Sequence, residues 1–190
     1  MDETAEGAPR QDVRSDRELI AAINGGDDLA FEVLYRRYRE WVVGLAYRFT
    51  RDRDLALDVM QETFLYFVKK FPGFQLTASL KTFLYPAVRH LSIALQRQSN
   101  RFASSEAALE ELEVSLTSSP VMAEHESLQI VLANLSPLHR EVLLLRFVDG
   151  LALGEIAEAL GVPLGTVKSR LHNALGTLRD DKRTKKFFEQ

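Results

Sequence analysis

Residues 155–175 read EIAEALGVPLGTVKSRLHNAL, and this stretch decides the fold of the C-terminal part of the chain. Its apolar positions Ile156, Leu160, Val162, Val167 and Leu171 have the spacing of two helices interrupted by a turn. Small Ala157 lets the two helices cross closely, and Gly161 sits where such a turn needs a positive φ. Pro163 then precedes a helix predicted from about Leu164 to Leu178. This is the pattern of a helix-turn-helix. With Val167, Leu171, Leu175 and Leu178 facing inward, the opposite face presents Gly165, Ser169, His172, Asn173 and Gly176. Thr166, Lys168 and Arg170 fall at its edges. A polar leading half is what a reader of the major groove needs, since that end of the helix meets base edges. Lys168 and Arg170 suit phosphate contacts, and an asparagine such as Asn173 has the donor and acceptor that pair with adenine. An ordinary helical hairpin with a solvated face is the plainer alternative, and it leaves the Ala157-to-Gly161 offset and Pro163 unaccounted for.

Upstream, a helix is expected up to Asn134, followed by Ser136-Pro137, an N-cap with proline in the first helical turn. The next helix is expected through Val148, ending at Asp149-Gly150. Residues 127–180 therefore read as one small helical domain, with 181–190 a basic tail. Residues 100–126 differ in character. Ser104, Ser105, Ser115, Ser118, Ser119 and Pro120 sit among glutamates, the composition of a flexible acidic linker.

Residues 17–99 read as helices throughout. A short helix, about Ser15 to Asn24, is stopped by Gly25-Gly26, and Asp27 or Asp28 is placed to cap the next. That helix carries Phe31, Leu34, Tyr35, Tyr38, Trp41, Val42, Leu45, Ala46 and Phe49 at three-and-four spacing. A third helix, about Asp54 to Lys70, turns Val59, Thr63, Phe64, Phe67 and Val68 inward, while Asp58, Gln61 and Glu62 share the other face. The breaker Pro72-Gly73 follows, then a loop to Ser79 and a fourth helix to about Gln98, with Pro86 expected to kink it. No strand pattern, fixed-period repeat or βαβ alternation is present, so the fold class is all-α: two small helical domains and a linker, with residues 1–16 a disordered tail.

The charge distribution agrees with this division. The net charge is 24 − 27 = −3. Residues 1–16 carry 2 basic and 5 acidic groups (−3), 17–100 carry 12 and 9 (+3), 101–126 carry 1 and 6 (−5), and 127–190 carry 9 and 7 (+2). Each basic block is too weakly charged to hold DNA by phosphate contacts alone, so DNA binding here needs a partner.

Enzyme chemistry finds no support. There is no cysteine, which removes disulfides and thiol nucleophiles and suits a reducing compartment. His90, His125, His139 and His172 are scattered, none at metal-ligand spacing, so no metal or other cofactor is expected. Neither a phosphate-binding glycine loop after a strand nor a nucleophile elbow occurs. The first 16 residues have no apolar core for a signal peptide, and no run reaches the about 20 apolar residues of a membrane span. A cytoplasmic protein without membrane insertion is expected.

Asp58-Val59-Met60-Gln61-Glu62-Thr63-Phe64 read alone is a solvated acidic stripe, but together with the helix-turn-helix it resembles the extracytoplasmic-function (ECF) sigma factors. These are small two-domain initiation factors of bacterial RNA polymerase. The Asp-x-x-Gln-Glu-x-Phe segment is similar to the part of their region 2 that docks on the clamp helices of the polymerase largest subunit. Residues 71–97 resemble their segment for melting and reading the minus-ten element. Leu135-Ser136-Pro137-Leu138-His139-Arg140-Glu141-Val142-Leu143-Leu144-Leu145-Arg146-Phe147 resembles the start of region 4, which touches the polymerase flap. Residues 161–171 resemble the reader of the minus-thirty-five element. The chain departs from the family pattern at Phe83, commonly tryptophan, at Pro86, at His90 and Ala94, and at Asn173 and Leu175.

The resemblance implies core polymerase and promoter DNA as partners, with room for an anti-sigma factor, and it implies site residues. Asp58, Gln61 and Glu62 would bind polymerase. Thr166, Lys168, Ser169, Arg170, His172 and Asn173 would meet the minus-thirty-five element. Lys81, Phe83, Tyr85, Arg89 and Arg97 would meet the opened minus-ten strand, with loop 71–80 as the pocket for a flipped base. Phe83 and Tyr85 have core packing as an equal alternative. The competing function is a stand-alone helix-turn-helix regulator that does not engage polymerase; only the sigma-factor reading needs Asp58, Gln61 and Glu62 exposed together. A helical scaffold leaves the turn at Gly161-Val162-Pro163 unexplained.

Overall fold

Helix α1 (Asp16–Asn24) starts where Ser15 and Glu18 cap each other, the Glu18 carboxylate accepting from the Ser15 backbone N–H at 2.7 Å. The computed structural model describes residues 12–106, 132 and 134–181. Among these residues the structure is helical and has no strand, as expected for an all-α chain. Residues 1–11, the part over 107–126 of the linker expected over 100–126, residues 127–131 and 133 of the helix expected up to Asn134, and the basic tail from 182 lie outside the described residues.

The described residues fall in two units, Met1–Leu80 with Ala87–Ser99, and Lys81–Pro86 with Asn100–Gln190. In the first, Gly26 takes the left-handed conformation (φ 92°) between α1 and α2 (Asp28–Thr50), and Asp27 caps α2 through the Ala30 N–H. Asp52 caps α3 (Arg53–Val68), its Oδ1 accepting from Asp54 and Leu55 N–H at 2.8 and 3.0 Å. The core between α2 and α3 is built on Leu34, Val42, Leu45, Val59 and an aromatic cluster. Phe31 stacks on Phe67 (5.8 Å) and Tyr35 meets Phe64 edge-on (4.8 Å). Phe67 is completely buried, a side chain whose burial contributes about 1.5–3 kcal/mol.

Val68 was expected inward and is 42% exposed. The buried arc of α3 runs through Ala56, Met60, Phe64 and Phe67, and at 100° per residue Val68 falls beyond its edge. Helix α4 (Leu80–Glu106) continues through Pro86 without a break and past Gln98 into the segment expected to begin the linker. No glycine or further proline stands between 87 and 106 to stop it.

In the second unit, Ser136 caps α5 (Pro137–Phe147) through the His139 N–H, with proline at the first helical position. Gly150 (φ 75°) turns the chain into α6 (Leu153–Leu160), and the Arg146 guanidinium holds that turn by donating to the Leu151 carbonyl at 3.0 Å. Gly161, at φ 64°, ends α6 and opens the turn to α7 (Leu164–Asp180), as the sequence pattern required. Leu135, Leu143, Ala174 and Leu178 form one apolar cluster, with Leu171 packed against it.

Candidate functional site

Two surfaces and a third, divided set carry the residues singled out in the sequence. On α3 the outward arc presents Asp58, Gln61 and Glu62, all exposed, with no side-chain partner among the described residues. Phe64 and Phe67 anchor the opposite face in the core, so the polar trio is held on a rigid helix. Periodicity alone missed the company these residues keep. Leu57 (39% exposed) and Leu65 (49%) stand one turn either side of Gln61, and Tyr66 is exposed beside Glu62 one turn on. An apolar border around polar groups, standing out of a well-packed helix, is the composition of a protein-docking surface.

The second surface is α7. Val167 and Leu178 are buried as expected, but Leu175 is 36% exposed and Ala174 takes its place in the seam. The physical reason is register: 167, 171, 174 and 178 repeat at four, three and four, closer to the helical period than a run through 175. Lys168, Ser169, His172 and Asn173 are exposed, while Thr166 and Arg170 are half-buried at the edges. Ser169 donates its hydroxyl to the Thr166 carbonyl at 3.0 Å, leaving its oxygen free to accept. The remaining polar side chains of this face, Lys168, Arg170, His172 and Asn173, have no partner among the described residues.

The third set, for the minus-ten element, is not gathered on one helix face. In the first unit Arg89 is half-buried and Arg97 exposed. The loop after α3 is pinned there by aromatic contacts: Phe74 lies 5.5 Å from Phe67 and 5.6 Å from Phe71. Asn24 holds the same loop, donating from Nδ2 to the Phe74 carbonyl at 2.8 Å and accepting at Oδ1 from the Gly73 N–H at 2.6 Å. In the second unit Lys81 and Phe83 are half-buried, and Lys81 Nζ donates to the Asp149 carbonyl at 2.6 Å. Tyr85 takes the core alternative. It is 1% exposed, its hydroxyl donating to Glu141 Oε1 at 2.6 Å, so its ring has no open face on which a base stacks. The second unit also exposes Leu138, Phe147 and Val148 at the two ends of α5, an apolar border that residue spacing did not reveal.

Residues 34–102 match the family model for Sigma-70 region 2, and residues 131–180 match that for Sigma-70, region 4. The ECF RNA polymerase sigma-E factor of Escherichia coli is 31% identical over 173 residues, 84% of this chain and 90% of its own. The chain belongs to the ECF RNA polymerase sigma factors. Another relative of this sigma factor, the ECF RNA polymerase sigma factor SigW of Bacillus subtilis, is 27% identical over 86% of the chain and 94% of its own length. Its fold also resembles two solved structures. CnrH, solved in complex with the cytosolic domain of CnrY, has a TM-score of 0.63 at 22% identity, covering 85% of this chain and 93% of its own. The sigma factor RpoE of Bartonella quintana, solved with the anti-sigma factor NepR, has a TM-score of 0.59 at 21% identity, covering 79% and 94%. As a sigma factor the protein binds core RNA polymerase and directs transcription initiation at promoters. Among the described residues, no helix is long and apolar enough to cross a membrane.

Proposed function

We propose that the sigma factor docks on the clamp helices of the polymerase largest subunit through the α3 face of Asp58, Gln61 and Glu62. The observation that carries this is the joint exposure of the three polar groups, bordered by exposed Leu57 and Leu65. Carboxylates on such a face steer it to a basic partner, and the leucines supply area removed from water. Leu138, Phe147 and Val148 on α5 would meet the flap in the same way. Helix α7 reads the minus-thirty-five element, Ser169, His172 and Asn173 meeting bases, and Lys168 and Arg170 meeting phosphates, with Thr166 at the rim.

Residues 71–97 act on the minus-ten strand. Holding a base out of the stack costs a few kcal/mol, which a pocket in loop 71–80 and the cations Arg89 and Arg97 offset. Buried Tyr85 serves by fixing the start of α4. The layout is then region 2 over 17–99, an acidic linker over 100–126 whose first residues continue α4 to Glu106, and region 4 over 127–180. The factor supplies no catalytic chemistry of its own, works in the cytoplasm and takes an anti-sigma partner, the last supported by the company in which RpoE was solved. Transcription in vitro with purified core polymerase on a promoter library tests the assignment. Transcripts from a defined pair of elements support it; no stimulation of core polymerase on any template overturns it.

A further inference from the structure

Asn24 is the last residue of α1, yet its side chain serves a loop about fifty residues further along the chain. Both ends of its amide are engaged, with the backbone of two consecutive residues, Gly73 and Phe74. Beyond that clasp, Phe74 is wedged between Phe67 and Phe71, and Leu80, fully buried, fixes the far end of the loop. Between these anchors Gln75 and Thr77 are exposed and Leu76, Ala78 and Ser79 half-buried. The loop therefore exposes the polar side chains of Gln75 and Thr77 between two anchored ends. Gly73, at φ 99°, takes the left-handed conformation that glycine favours where the loop leaves α3 and enters the clasp.

We infer that Asn24 is a positioning residue for promoter reading: its clasp on Gly73 and Phe74 sets where residues 75–79 meet an unstacked base. This rests on the reading of loop 71–80 as the minus-ten pocket. A pocket discriminates bases only if its groups are held to within a fraction of an ångström, and the backbone bonds that anchor a loop contribute to that order. The clasp is half-buried, so water replaces it readily when the side chain is lost, and alanine is a better helix former than asparagine at the end of α1. Loss of the amide is therefore felt in the loop and not in the fold.

The test uses the full chain with purified core polymerase and templates randomised across the minus-ten element, read by transcript sequencing. Asn24→Ala is compared with Asn24→Asp and with the loop double variant Gln75→Ala, Thr77→Ala. Asn24→Ala is expected to flatten the base preference by roughly tenfold at the positions the loop variant also alters, with melting temperature and core affinity unchanged. Asn24→Asp keeps the acceptor for the Gly73 N–H, loses the donor to Phe74, and is expected to fall between. A changed preference in the loop variant but not in either Asn24 variant overturns the inference and leaves the loop reading standing. Unchanged preference in all three overturns the loop reading and the inference with it. Lowered melting temperature and core affinity with an unaltered preference assign Asn24 a structural role only. Should Asn24→Ala fail to fold, Asn24→Asp alone decides by the same readout.

Discussion

Ala174 stands two turns beyond Val167 in the buried seam of α7, both side chains fully inaccessible. That pair fixes the rotation of the recognition helix about its axis. The outward side is then centred near Ser169, with His172 on one flank and Asn173 on the other. Asn173→Ala is expected to change which base is preferred in the minus-thirty-five element, with discrimination falling by about 1–3 kcal/mol if the amide makes a bidentate pair. Lys168→Ala is expected to weaken binding at every sequence and to shallow the salt slope by about one charge. A randomised minus-thirty-five library read with each variant checks both; a preference untouched by Asn173→Ala moves base reading to His172 or Thr166.

Gln61 and Glu62 point away from the core on the helix that Phe64 and Phe67 anchor. The double variant Gln61→Ala, Glu62→Ala is therefore expected to melt within about 0.5 kcal/mol of the parent, as exposed substitutions do. Its affinity for core polymerase is expected to fall at least about tenfold, the loss of a polar cluster inside a docking surface. Leu65→Ala should weaken docking in the same direction, because its half-exposed side chain loses contact area with the partner. Fluorescence anisotropy with labelled factor and core polymerase measures each; undiminished affinity in the double variant removes α3 from the interface.

Ion pairs tie the segment before α1 to the cap of α2, and the first residue of α1 to α2 itself. Arg14 reaches Asp12 at 2.7 Å and Asp27 at 3.1 Å, Arg37 reaches Asp16 at 2.5 Å, and the Tyr38 hydroxyl donates to the same Asp16 carboxylate. The hydrogen bonds from Arg14 hold Asp12 and Asp27 below the ordinary value of 3.8, and those from Ser15 hold Glu18 below 4.5. Groups lowered in this way bind fewer protons folded than unfolded, so what they contribute is complete above those ordinary values and is lost as pH falls below them. Tyr38 has the opposite sign. Burial, then the bond to Asp16, raise it above 10.0, so its contribution is present below pH 10.0 and declines as pH rises beyond. Thermal unfolding of the parent and Arg14→Ala is expected to show a gap near neutrality that narrows below about pH 4. A gap independent of pH refutes the ionic account of the clasp.

Much of this molecule was legible in its residues. The turn at Gly161 and the caps at Ser136 and Asp27 are local chemistry, and local chemistry survives in a one-dimensional reading. Side-chain identity misled where two residues competed for one slot. At 174 and 175 the larger leucine looked like the core residue, but the helical period placed alanine there. At Tyr85 the ring satisfies packing and its hydroxyl finds Glu141, a partner 56 residues away that periodicity cannot supply. Asn24 escaped notice for the same reason: its bonds to Gly73 and Phe74 join residues that only the packing of three helices brings together. The apolar border of the α3 face was missed because leucine on an exposed arc contradicts the pattern used to find the arc.

The charge distribution bears on how the free factor meets DNA. The block over 17–100 carries +3 and that over 127–190 carries +2, with −5 between them in 101–126. Affinity for duplex grows with the number of phosphates neutralised, since each releases condensed counterions, and so few net charges release few. The acidic stretch is expected to compete with phosphate for the same cations, an effect that acts within a Debye length of about 8 Å at physiological salt. The isolated factor is therefore expected to bind promoter duplex weakly, near the micromolar or weaker range typical of non-specific complexes, and with a shallow salt slope. Adding core polymerase is expected to raise the affinity by several orders of magnitude, because binding to core polymerase makes promoter contact intramolecular and raises the effective concentration of region 4 at the promoter. Replacing Glu110, Glu111 and Glu113 with glutamine is expected to tighten binding of the free factor and to leave the affinity for core polymerase unchanged. Electrophoretic mobility shifts at two salt concentrations, with and without core polymerase, read all three quantities. A tight, sequence-specific complex of the factor alone contradicts the charge argument and restores the stand-alone regulator as the better description of region 4.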